Sequence, residues 1–81
     1  MSSSAARRAG FRHLRRYEFT FREFTVLHLV AKGVADKEIA NELGVVPSTV
    51  HKHVSSILGK MGASSRTEAG VRAVREGLVS N

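Results

Sequence analysis

Between Ser48 and Ser55 the sequence reads Ser-Thr-Val-His-Lys-His-Val-Ser. Apart from two valines, its side chains donate or accept hydrogen bonds without carrying negative charge. Lys52 and His51 can donate to guanine O6 or N7, and the hydroxyls of Ser48 and Ser55 can serve either kind of base. Thr49 would lie in the first turn of a helix, where a hydroxyl and free backbone amides together suit a phosphate oxygen. Lys37 can reach the same strand. No Asp or Glu stands between Pro47 and Met61, whereas Asp36, Glu38 and Glu42 punctuate the residues just before. A merely solvated helix face usually mixes Glu with Lys. This one is small and polar around a single lysine, as close approach to base edges requires.

Other chemistry is harder to build. His51 and His53 are two residues apart, which puts them on different faces of a helix, and no Cys or carboxylate cluster completes a metal set. His28 interrupts an apolar run and reads as a half-buried structural group. No nucleophile–base pair, glycine-rich phosphate loop or carboxylate cleft presents itself. The expectation is therefore a protein that is not an enzyme and has neither metal nor cofactor.

The elements that must position these residues follow from periodicity and punctuation. Thr20-Phe-Arg-Glu23 has the spacing of a capping box. After it Phe21, Phe24, Leu27, Val30 and Ala31 repeat at helical intervals, and Gly33 ends the run. A second helix covers about Asp36 to Leu43, with Ile39, Ala40 and Leu43 inward, and stops at Gly44. A third starts near Pro47, a good first helical residue because its missing N–H is not needed there, and runs to about Met61 and Gly62. A fourth starts at Ser65-Arg-Thr-Glu68, a second capping-box spacing, and ends near Gly77. No alternating run reads as a strand.

These signals predict an all-α fold, a small four-helix domain. Residues 36–61 form two helices joined by a glycine turn, the second being the longer. That is the shape of a helix-turn-helix, which sets its second helix into the major groove of DNA. Ala40 permits close approach of the pair, Gly44 can take the left-handed turn, and Val45 and Val50 can fill the space between. At about 100° per residue, Val50, Val54, Ile57, Leu58 and Met61 share one side of the third helix. Ser48, Lys52, Ser55, Ser56 and Gly59 lie opposite.

With 81 residues the chain holds one domain, which buries only about 60% of its unfolded surface. It has no Cys, so no disulfide supports it. The net charge is +6, which favours a polyanionic partner. Residues 1–19 hold five arginines against Glu18, a net of +4 out of that +6. They read as a basic arm or linker ahead of a mildly basic domain at 20–81. No apolar stretch is long enough to span a bilayer, so no membrane partner is expected, and the location expected is cytoplasmic.

From Thr20 to Val79, about three-quarters of the chain, the sequence resembles the LuxR-type helix-turn-helix DNA-binding domain of bacterial quorum-sensing regulators and many response regulators. The residues that carry the resemblance are Thr20-Phe-Arg-Glu23, Val26-Leu27, Gly33, Lys37-Glu38-Ile39-Ala40, Leu43-Gly44, Thr49-Val50, His53, Lys60-Met61-Gly62 and Ser65-Arg66-Thr67-Glu68-Ala69. The resemblance implies a transcription regulator whose third helix reads double-stranded DNA and which usually binds as a dimer. The base-reading positions it implies are Ser48, His51, Lys52 and Ser55. The phosphate-binding positions it implies are Lys37, Thr49, His53 and Arg66. RNA polymerase is a further candidate partner. Members carry a sensory or receiver domain ahead of this one, so the chain reads either as part of a longer regulator or as a small stand-alone one.

Some positions depart from the family pattern. Its serine caps of the second and third helices are replaced by Ala35 and Val46, each replacement costing about 1 kcal/mol unless Asp36 or Ser48 substitutes. Gly70, Arg72 and Glu76 dilute an apolar fourth helix through which some members pair, and a mid-helix Gly costs up to about 1 kcal/mol. The expectation is a monomer or weak dimer in solution that forms a homodimer on DNA. Two other readings stay open: a promoter binder resembling region 4 of a sigma factor, and a helix-turn-helix protein-interaction module that sequesters another regulator. The arm gives a direct test. Deleting residues 1–18 should leave the fold intact and lower non-specific affinity, the salt slope falling by about 0.9 for each phosphate that the arm no longer neutralises. A slope that does not change would make the segment a linker only.

Overall fold

The computed structural model describes residues 17–80, and the basic stretch from Arg7 to Arg16 lies outside them. Among the described residues there are four helices and no strand: α1 Phe21–Ala31, α2 Asp36–Leu43, α3 Pro47–Met61 and α4 Arg66–Arg75. The domain is all-α, and the helix boundaries fall where the punctuation put them.

Local chemistry explains those boundaries. At α1 the capping box closes in both directions: the Glu23 amide donates to Thr20 Oγ1 at 3.1 Å and the Thr20 amide to Glu23 Oε1 at 2.9 Å. Each helix is then followed by a glycine at positive φ, namely Gly33, Gly44, Gly62 and Gly77. The next residue turns back to donate its amide to a carbonyl of the last turn: Val34 to Leu29, Val45 to Ala40, Ala63 to Leu58 and Leu78 to Ala73. This is the Schellman arrangement, in which glycine takes the left-handed step and the apolar residue after it packs back on the helix. The starts of α2 and α3 are weaker. Ala35 and Val46 make no side-chain cap, and neither Asp36 nor Ser48 replaces it, while Pro47 sits in the first turn of α3.

The core lies where α1, α3 and α4 meet, with α2 packed on α3. Val26, Leu27, Ile39, Val50 and Ile57 are its fully buried large side chains. Each contributes about 1.5–3 kcal/mol of burial free energy. On α3 the buried set is Val50, Val54, Ile57 and Met61, with Leu58 partly covered beside them. Ala40 is buried, Val45 packs partly against the same core, and His28 is half-buried.

The structure corrects several readings of the sequence. Phe21 belongs to the i+3 series of α1 yet is 85% exposed. Steps of three residues drift about 60° each around a helix, so a series centred on Leu27 leaves the core face by the time it reaches Phe21. Val26 and Glu23 are buried instead. Tyr17 and Phe19, read as part of the arm, pack against the core, their rings stacked with centroids 5.4 Å apart. Glu18 between them takes a left-handed backbone, and the Tyr17 hydroxyl donates to Glu76 Oε1 at 2.8 Å. A truncation meant to spare the fold must therefore stop before Tyr17. At α4 the capping box is only half closed: the Glu68 amide donates to Ser65 Oγ at 3.1 Å, while the Glu68 carboxylate accepts from Ser64. Finally, Gly70 is not a weak point of α4. It is buried, and a Cβ there would sit 3.2 Å from the Ala31 Cα.

That close approach sets the sign of a substitution. Gly70→Ala gains helix propensity but drives a methyl into the backbone of α1, so it should destabilise by about 1–2 kcal/mol net. Gly59→Ala, where a Cβ meets nothing within 4 Å, should stabilise by up to about 1 kcal/mol. Urea unfolding of the two variants measures both, and a stabilised Gly70→Ala would show that the α1–α4 crossing is not close-packed.

Candidate nucleic-acid interface

Helix α3 is held by its inward stripe and by one polar clamp. Glu23, in the first turn of α1, is buried. Its Oε1 accepts from Lys60 Nζ at 2.6 Å and its Oε2 from Ser56 Oγ at 2.6 Å. Lys60 also donates to the Glu18 carbonyl at 2.9 Å. The carboxylate thus joins the cap of α1 to the C-terminal half of α3. Burial alone would push its pKa upward. The hydrogen bonds from Lys60, Ser56 and the Thr20 amide, with the Lys60 charge, outweigh that and hold it at about 2. Ser56, placed by the helical wheel on the outward face, is half-buried against α1 instead. It lies on the flank of α3 that α1 covers, and only packing shows that.

The outward face of α3 is free. Ser48, His51, Lys52 and Ser55 are all exposed, and among the described residues their side chains make no hydrogen bond, ion pair or ring contact. Gly59 continues the same row, with open space where a Cβ would stand. Val46, considered in the sequence only as a missing cap, is 60% exposed at the start of α3. It is an apolar group of the kind that meets a thymine methyl. No sequence rule separates it from a buried valine.

The phosphate candidates divide. Among the described residues Lys37, in the first turn of α2, is exposed and unpaired, while Thr49 and His53 are half-buried on the flank of α3 and likewise unpaired. Arg66 is different. Its guanidinium pairs with Asp36 Oδ1 and donates from its other terminal nitrogen to the Val34 carbonyl. It ties the start of α4 to the turn before α2. Among the described residues no group of three or more His, Cys, Asp or Glu could hold a metal ion, and no helix is long and apolar enough to cross a membrane.

A short helix, a glycine turn and a longer helix with an unobstructed, carboxylate-free outer face define the helix-turn-helix class of DNA-binding domains. Comparison with known proteins makes the assignment specific. Residues 18–73 match the family model of bacterial regulatory proteins, luxR family. The chain is 40% identical over 77 residues to the transcriptional regulatory protein LiaR of Bacillus subtilis, covering 95% of this chain and 36% of that protein. It is 43% identical over 63 residues to the transcriptional regulatory protein YdfI of the same organism, 78% of this chain and 30% of that one. It is 40% identical over 60 residues to the response regulator protein VraR of Staphylococcus aureus, 74% and 29% of the two chains. This chain belongs to the luxR family of bacterial regulatory proteins. It spans about a third of the length of the curated relatives it matches.

The clamp carries a pH dependence whose sign can be worked out. A carboxyl held at about 2 in the folded protein titrates near its ordinary value of 4.5 once unfolded. Its stabilisation is complete above about 4.5 and disappears as pH falls from there towards 2. Thermal melts between pH 7 and pH 2 should show a fall in Tm through that window. Glu23→Gln should flatten it, while costing about 1–3 kcal/mol at neutral pH because Lys60 and Ser56 lose a charged acceptor. A variant as acid-sensitive as the parent would remove Glu23 from this role.

Proposed function

We propose that this chain acts as the DNA-reading unit of a bacterial transcription regulator by laying α3 in the major groove. Ser48, His51, Lys52 and Ser55 face base edges there. Lys52, near the middle of the row, donates to guanine and fixes preference at one base position. Lys37 and Thr49 hold one phosphate strand, His53 and Arg66 contribute phosphate contacts beside them, and the arm adds sequence-independent attraction. The work takes place in the cytoplasm. The observation that carries this reading is the outer row of α3: exposed, free of carboxylates, and unpaired among the described residues.

Two units pair on the DNA. Supporting this is an open groove of about 630 Å³ between the end of α1 and α4, lined by Val30, Ala31, Val71 and Val74 together with Arg66 and Arg75. Val71 is about half exposed beside it. The surface is small, so pairing in the absence of DNA is weak, and two half-sites about one helical turn apart bring the units together.

Selection from a random DNA pool tests the reading and should return a two-fold symmetric site. Lys52→Ala should weaken binding to that site by about 1–3 kcal/mol and relax preference at one position in each half, with little change in melting temperature. Unaltered affinity for the selected site would mean that α3 is not the reader.

A further inference from the structure

The Asp36–Arg66 pair does more than join two helices. Arg66 uses one terminal nitrogen on the Asp36 carboxylate and the other on the Val34 carbonyl. A guanidinium has five N–H donors in a rigid fork, so donors are left over. The side chain stays 39% exposed, enough to meet a group from outside. Asp36 opens α2, the helix that in a helix-turn-helix crosses the DNA backbone while its partner enters the groove. Its neighbour Lys37 is exposed and, among the described residues, unpaired. A carboxylate at that place faces an incoming phosphate with like charge unless a cation stands between them. Carboxylate and phosphate oxygens also compete for the same bidentate face of an arginine.

We infer that Asp36 masks Arg66: in the free protein its carboxylate occupies the guanidinium that DNA phosphate would otherwise neutralise, and so sets a ceiling on backbone affinity. This rests on the proposal that Arg66 faces the backbone. The pair stands outside the row of α3 that reads bases, so the mask acts on strength and salt response and leaves sequence preference alone. It gives the domain a reason to depend on a correct base sequence, or on a second copy, for tight binding.

The test is a double-mutant cycle in the full chain, with Asp36→Asn, Arg66→Gln and the two combined, on the selected site and on unrelated duplex DNA. Asp36→Asn should bind both DNAs severalfold more tightly at low salt. Its salt slope should steepen by about 0.9, one more counterion released, so that its affinity falls about threefold to fourfold further than the parent's between 50 and 200 mM salt. In the Arg66→Gln background the same substitution should change the slope little. Circular dichroism melts confirm that each variant is folded. Equal gains in both backgrounds would overturn the inference, because Asp36 would then be only a nearby negative charge. An unchanged or weaker Asp36→Asn would overturn it too, leaving the pair a structural tie. Failure of the parent protein to bind any duplex would instead sink the proposed function itself.

Discussion

Glu23 is a carboxylate taken out of water at the point where α1 meets α3. It remains charged because its oxygens receive Thr20, Ser56 and Lys60. Removing a charge from water is costly unless every partner is in place, so the clamp is all or nothing. If α3 rotates by a few tens of degrees, Ser56 and Lys60 leave the carboxylate, and the cost of the buried charge appears at once. The inward stripe of α3 gives affinity for the core but little angular precision, since valine, isoleucine and methionine tolerate small rotations. The clamp supplies the precision. It therefore fixes which residues of α3 face outward, on which the proposed base reading depends.

Around this fixed helix the other connections are compact. Four glycines make the left-handed step after a helix, and the apolar residue following each one packs back. The loops between helices stay short. Gly70 lets α4 lie directly on the backbone of α1, which brings Arg66 to Asp36 and Tyr17 to Glu76. The missing caps at Ala35 and Val46 fall at the starts of the two helix-turn-helix helices. They leave backbone amides without a side-chain cap, a local cost in stability.

Charge is distributed with the same division of labour. Of the acidic residues of the described region, Glu23 sits in the clamp, Asp36, Glu38 and Glu42 on α2, Glu68 on α4, Glu76 at its C-cap and Glu18 ahead of α1, while α3 carries only Lys52, Lys60 and two histidines. Lys60 is engaged by Glu23 and Glu18, which leaves Lys52 as the exposed cation of the outer row. In the proposed reading such a surface attracts DNA weakly and discriminates through geometry. Five of the chain's basic residues are the arginines of residues 1–16.

Most of the fold was legible in the sequence because its signals are local. Capping residues, Pro47, the glycines and the 3.6-residue period act within one or two turns, and they placed the four helices and the outward row of Ser48, His51, Lys52 and Ser55. The motif spacing from Thr20 to Ala69 carried the family. What the sequence could not show were relations between residues far apart in the chain. A wheel treats each helix as if one side were wet and the other dry, so it put Ser56 outside and Phe21 inside, although α1 covers a flank of α3 and nothing among the described residues covers Phe21 in the first turn of α1. Propensity made Gly70 a weakness, and the close approach of Ala31 leaves a side chain there little room. Composition made Tyr17 and Phe19 part of a basic arm, and burial makes them part of the domain. The resemblance implied Arg66 as a phosphate contact, and only the packing shows that Asp36 pairs with it. Local energetics decide where helices begin and end; only the packed assembly decides which polar side chains are taken up by one another and which remain for a partner.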